Sequence, residues 1–264
     1  MDPIAQMKIA ARESWATFAP FEALTGSVAP DLVRFAQVGA GQRVLDVGCG
    51  TGVVALTAGR RGATVTGADL TPALLASARV NADLAGLAIE FQEADVEALP
   101  FADASFDVVL SQFGHMFGPR PAIALSEMLR VLQPGGTIAF STWPPELYVG
   151  RMFSLIGRYS PPPPAAARSP IEWGDPAIVG ERFGTAVREI TFDRGCLRFP
   201  ALSPAHARMF MERNAAPVSR VVETLGAEPA KLAAFRQEFD QLIALYFNDN
   251  IVRQDFLMSR AIKI

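Results

Sequence analysis

A doubly wound α/β sheet is predicted by three features of this sequence. β-prone apolar runs alternate with amphipathic stretches between residues 43 and 143, and the first run turns directly into Gly48, Gly50 and Gly52. The first three runs also carry an acid near their ends: Asp46, Asp69 and Asp95. Strands separated by helical stretches imply βαβ crossovers, hence a parallel sheet with helices on both faces.

From the N-terminus, residues 3–38 read as two helical stretches broken at "APF" (19–21), with Pro30 opening the second. "RVLDV" (43–47) is a first strand, and "TGVVALTAGR" (51–60) a helix stopped near Gly62. "TVTGAD" (64–69) is a second strand, followed by the helix "PALLASARVNADL" (72–84). "IEFQEAD" (89–95) and "FDVVLSQF" (106–113) are the third and fourth strands, and the helix "AIALSEMLRVL" (122–132) leads into the fifth, "TIAFSTW" (137–143).

The pattern then changes. "ELYVGRMFSLIGRY" is helical, and "SPPPPAAARSP" (160–170) is a connector that cannot continue a helix. "AVREITFDRGCLRF" (186–199) alternates as a sixth strand. Helices follow at about 204–214 and 217–247, the latter interrupted near Gly226 and Pro229, before a terminal strand "FLMSRAIKI" (256–264). Three parts are expected: a helical lid over 1–40, a ligand-binding core over 41–145, and 146–264, which holds the last two strands with helical cap insertions for a substrate.

Composition narrows the function. Half of the 264 residues are apolar and 19% are charged, which suits a globular chain with a sizeable core. A net charge of −3 offers nucleic acid or an anionic membrane no global attraction. Two cysteines and two histidines make neither a disulfide framework nor a zinc site, so no metal is expected. The first residues lack a signal peptide's apolar stretch, and no run approaches the roughly 20 apolar residues that span a bilayer. A cytoplasmic protein without membrane insertion is the expectation.

In an open parallel sheet, ligands sit beyond the carboxyl ends of the strands. The glycine turn there reads G-x-G-x-G with Val53 next, whereas a dinucleotide fingerprint wants its third small residue one place later. No Lys-Ser/Thr ending follows, as a phosphate-cradling loop would need. Asp69 can accept hydrogen bonds from both hydroxyls of a ribose, or serve as a helix N-cap, although Thr71 before Pro72 suits that role better. Asp95 can accept from an exocyclic amine while the Val96 N–H donates to a ring nitrogen. Three acids repel a pyrophosphate and suit a nucleoside with a cationic centre, such as S-adenosylmethionine.

Here the sequence resembles the class I S-adenosylmethionine-dependent methyltransferases, in the subgroup related to quinone biosynthesis. The resemblance is carried by "RVLDVGCGTG", "VTGADLTPALLASAR", "FQEADVEALPFADASFDVVLSQFGHMF" and "EMLRVLQPGGTIAFSTW", about residues 40–145. It implies a Rossmann-like sheet of seven strands with the last one antiparallel. It also implies that Gly48 and Gly50 face the methionine part of the cofactor, that Asp69 binds the ribose, and that Leu70 packs on the adenine. Asp95 and Val96 would bind the adenine edge, Ser111 and Gln112 would lie near the methionine end, and Asp46 would orient the loop or meet the ammonium through water.

The expected reaction is methyl transfer to a small apolar or aromatic metabolite through an O, C or N acceptor. The catalytic candidate is His115, just past the fourth strand, whose ordinary pKa suits proton removal near neutrality; the competing reading is a loop histidine with a structural hydrogen bond. Cys49 reads as a small filler of the glycine turn, and His206 as a surface residue. "SQFG" after the fourth strand lacks the Pro-Pro-aromatic motif of DNA amino-methyltransferases, so nucleic acid is not the expected partner. Leu232, Phe235, Phe239, Leu242 and Tyr246 share one helical face, which suits the cap's own core. Two other functions compete: an NAD(P)-dependent oxidoreductase, and a non-catalytic cofactor-binding partner protein.

Overall fold

The computed structural model describes residues 2–264. The strands are β1 (Arg43–Val47), β2 (Thr64–Asp69), β3 (Glu90–Glu93), β4 (Phe106–Gln112), β5 (Leu132–Thr142), β6 (Val187–Pro200), β7 (Phe247–Asn248) and β8 (Ile251–Lys263). The helices are α1 (Pro3–Ser14), α2 (Glu22–Phe35), α3 (Val53–Gly59), α4 (Pro72–Ala85) and α5 (Pro121–Val131), then α6 (Tyr148–Tyr159), α7 (Pro176–Phe183), α8 (Pro204–Asn214), α9 (Ala216–Thr224) and α10 (Pro229–Ala244).

The sheet runs β3-β2-β1-β4-β5-β8-β6, parallel from β3 to β5, with β8 antiparallel to both of its neighbours. From β1 the chain first steps outward through β2 to β3, and from β4 it steps the other way. With right-handed crossovers, α3 and α4 therefore cover one face and α5 the other. Strand order reverses between β1 and β4, and a crevice opens there at the carboxyl ends. Both strands are covered on both faces, which is why their sequences are apolar without alternation.

The seven expected strands are present, and an eighth, β7, pairs with β8. The last helix ends at Ala244 rather than 247, and β8 starts at Ile251 rather than 256, because Asp249 and Asn250 form a tight turn with φ of 48° and 60°. Two left-handed residues are what a two-residue hairpin turn requires. Pro30 does not open a helix but lies inside α2. A mid-helix proline costs about 3 kcal/mol. Burial of Val28, Leu32 and Val33 on one continuous face outweighs that cost.

A helical cap stands above the carboxyl ends. The segment Trp15–Phe21, a 3-10 helix, continues α1 and packs against α8 and α9, while α10 packs against α6 and α8. Phe235 and Phe239 are fully buried in this cap and Leu242 is buried beside them, with Leu232 and Tyr246 packed against the same core. No helix among the described residues is long and apolar enough to cross a membrane.

Candidate functional site

A cavity of about 240 Å³ lies between the crevice and the cap. One end is built from the glycine turn, Asp69, Leu70, Asp95 and Val96; the other is walled by Phe113, Trp143, Met152, Phe153 and Leu197. Trp15, Phe18 and Phe21 line it from the N-terminal segment.

The glycine turn is tied to β2 through the backbone. Gly48 N and Cys49 N both donate to Ala68 O, at 2.7 and 3.0 Å, which ties the turn to β2. Gly48 has φ 65°, and the turn after β4 presses on it: a Cβ on Gly114 would stand 2.6 Å from Gly48 O. Only glycine at both places allows that approach. At Gly50 (φ 55°) an added Cβ meets nothing within 4 Å, so this backbone is open to a ligand. Cys49 is buried, and burial pushes its thiol pKa well above its ordinary value, so it is a filler and not a nucleophile.

Asp69 is fixed at both oxygens. Oδ2 accepts from Gly50 N and Oδ1 from Thr71 N, each at 2.8 Å. Burial raises its pKa, and these N–H donors oppose the rise. Thr71 makes no side-chain cap bond, so the Asp69 carboxylate takes the N–H nearest the start of α4 while still lining the cavity. Asp95 accepts from Glu97 N at 2.9 Å through Oδ1 and from Lys8 Nζ through Oδ2. The Val96 N–H has no hydrogen-bond partner among the described residues and is free for a ligand.

Two sequence candidates sit behind the cavity wall rather than on it. Asp46 accepts from Ala55 N at 3.0 Å, holding the first turn of α3, and its Oδ1 is buried without a partner. Burial, with the charge of Asp69 added, pushes its pKa up to about 7 against the pull of that N–H. Ser111 donates to Val47 O at 2.6 Å and accepts from His115 N at 2.9 Å, stapling β1 to the turn after β4. Gln112 does line the cavity: its Nε2 donates to Thr25 O at 2.9 Å and its buried Oε1 has no partner.

His115 also lines the cavity, 1% exposed, with its ring against Phe140 and Trp173. Neither ring nitrogen has a partner. Burial, and then the charge of Arg182, push its pKa down to about 3. A pKa this far down favours the neutral ring and makes it a weaker base than an ordinary histidine. The structural hydrogen bond of the competing reading is absent, since the bond at this residue is made by its backbone. His206 is exposed and accepts from Leu202 N. Among the described residues no three metal-ligating side chains cluster.

Several site residues are not visible in the sequence as such. Phe113 has φ 60°, a costly conformation for an aromatic residue, and its ring stacks on Trp143 with centroids 3.9 Å apart. Lys8 reaches the Asp95 end from 87 residues away. Gln254, on β8, lines the cavity beside Leu197, its partner in β6.

Residues 45–140 match a family described as a methyltransferase domain. An uncharacterized protein of Mycobacterium tuberculosis is 35% identical over 243 residues, 92% of this chain and 89% of its own length. The demethylmenaquinone methyltransferase of Thermus thermophilus is 45% identical over 106 residues, 39% of this chain and 48% of that one. A putative methyltransferase of Bacillus halodurans has a similar solved structure, with TM-score 0.59 at 21% identity over 90% of this chain and 99% of that one.

Proposed function

Because the chain belongs to the class I S-adenosylmethionine-dependent methyltransferases, we propose that it methylates a small apolar or aromatic metabolite at oxygen, carbon or nitrogen. One observation carries this reading: a single cavity joins an acid-lined end suited to a nucleoside with an end walled by aromatic and aliphatic side chains. The residues present fit the cofactor. Gly50 leaves open space, Val96 N–H and Gln112 Oε1 lack partners, and the one lysine on the wall is engaged by Asp95 and Glu97. No uncommitted cation there would hold a pyrophosphate, which disfavours the dinucleotide alternative.

In this reading Asp69 holds the ribose, Leu70 packs on the adenine, and Asp95 with Val96 N–H takes the adenine edge. Gly48, Gly50 and Gln112 face the methionine part, while Asp46 and Ser111 support the turns that carry them. When bound, the cofactor supplies a methyl group already activated on a sulfonium. The chain's own work is to align the acceptor and to exclude water with Phe113, Trp143, Met152 and Phe153. Neutral His115 can hold an acceptor group in place, but at a pKa of about 3 it does not store the acceptor's proton.

The Asp69→Ala variant is expected to bind S-adenosylhomocysteine about 10–150-fold more weakly, equivalent to about 1.5–3 kcal/mol for hydrogen bonds to a charged acceptor. Calorimetry on the folded variant checks this, and unchanged affinity overturns the ribose assignment. The three-part division is proposed as well: residues 1–40 as a lid, 41–145 as the cofactor core, and 146–264 as the remaining strands with the substrate cap. The lid is supported by Trp15, Phe18 and Phe21 on the cavity wall. Amide exchange in 3–38 and 147–180 should slow when S-adenosylhomocysteine is added. Equal exchange with and without it counts against closure.

A further inference from the structure

Charge on the cavity wall is distributed unevenly. Asp69, Asp95 and Lys8 mark the cofactor end, and the Lys8 ammonium is shared between Asp95 and Glu97. The far end carries no charged side chain. Two further polar side chains, His115 and Gln254, line the cavity among apolar neighbours. His115 is buried with both ring nitrogens unpartnered. Gln254 is 6% exposed, and its side-chain amide has no hydrogen bond among the described residues.

Topology places Gln254 away from the cofactor end. The last bonded pair of β5 and β8 is Thr142 with Leu257. Gln254 lies three residues further toward the start of β8, on the β6–β8 ribbon that rises past the carboxyl end of β5. Trp143, which follows β5, stacks with Phe113 just below, and Phe113 is held at φ 60° to do so. A side-chain amide that faces a cavity without a protein partner is free to bond a ligand's polar group there.

We infer that Gln254 and His115 form a two-point polar reader of the methyl acceptor, one that admits uncharged hydroxyl or carbonyl groups on an apolar body and rejects carboxylates. The inference rests on the far end being the acceptor pocket. A neutral imidazole offers one donor and one acceptor, and a carboxamide an NH2 and a carbonyl, so both match neutral polar groups of either sense. A carboxylate would be desolvated there with no uncommitted cation on the wall to pair it, in a cavity whose wall already carries more acid than base.

Three ring compounds test this on the S-adenosylhomocysteine-loaded protein by calorimetry: 4-hydroxyacetophenone, 4-hydroxybenzoate and 4-isopropylphenol. The wild type should prefer 4-hydroxyacetophenone over 4-hydroxybenzoate by about tenfold or more, the value of one good hydrogen bond. Gln254→Leu should weaken 4-hydroxyacetophenone about tenfold and leave 4-isopropylphenol unchanged. Gln254→Lys should instead shift the preference about tenfold toward 4-hydroxybenzoate, a gain that misfolding cannot mimic. Wild-type ratios in both variants, or equal binding of the carboxylate to the wild type, overturn the inference. If none of the three binds while S-adenosylhomocysteine does, the aromatic-acceptor reading falls and this inference with it.

Discussion

Replacing Glu97 with alanine is expected to destabilise the protein by about 3 kcal/mol and to loosen its N-terminal helix. The Glu97 side chain is 1% exposed and accepts from Lys8 Nζ and from Arg120 N, Nε and Nη2. Removing one member of a buried ion pair costs about 3–5 kcal/mol, because the partners stay desolvated and lose their counter-charge. The lower end applies here, since Lys8 keeps Asp95 and the half-exposed Arg120 can turn to water. Lys8 is the ion-pair tie between α1 and the loop that carries Asp95 and Val96. Exchange in α1 should therefore quicken in the variant, together with a lower urea midpoint. Arg12→Ala is the control: its pair with Glu93 is about half exposed on both sides and should cost less than about 1 kcal/mol. A Glu97→Ala loss as small as that would mean that this carboxylate does not anchor the helix.

The parts of the molecule legible in the sequence are those governed by short-range rules. β1, β2, β4 and β5 announce themselves through apolar runs, and the ends of the first strands locate the cavity floor, where Asp69 and Asp95 lie. What was not legible depends on residues far apart in the chain. Lys8 meets Asp95 and Glu97 across 87 and 89 residues, and nothing in α1 reveals the match. Gln254 faces the cavity only because β8 inserts between β5 and β6. The burial of His115 under Trp173 and the charge of Arg182 arrive from the 3-10 turn Pro170–Gly174 and from α7. Pro30 shows the reverse case, a strong local rule overridden by burial of the helix around it. The Asp249–Asn250 turn was locally readable, but the helical pattern ahead of it obscured the signal.

Asp46 and His115 are expected to impose opposite pH slopes on stability, and single variants should expose each. His115 has a folded pKa of about 3 against an ordinary 6.5. Between those values the unfolded chain binds more protons, so stability rises with pH by about 1.4 kcal/mol per unit; the full contribution is present above the ordinary pKa and is lost as pH falls. Asp46 has a folded pKa of about 7 against an ordinary 3.8. Between these the folded chain binds more protons, so its contribution is complete at low pH and is lost as pH rises through the folded pKa. Across the shared window, from about pH 4.5 to 6.5, the two slopes offset each other. His115→Gln should therefore lose about 2–3 kcal/mol as pH rises across that window, with buried Asp69 adding to the fall, since its pKa is raised as well. Asp46→Asn should gain a comparable amount as pH rises, because the His115 slope is then opposed by Asp69 alone. Urea midpoints at three or four pH values separate the two lines. Parallel profiles in both variants would mean that neither group is held in the uncharged form that its burial requires.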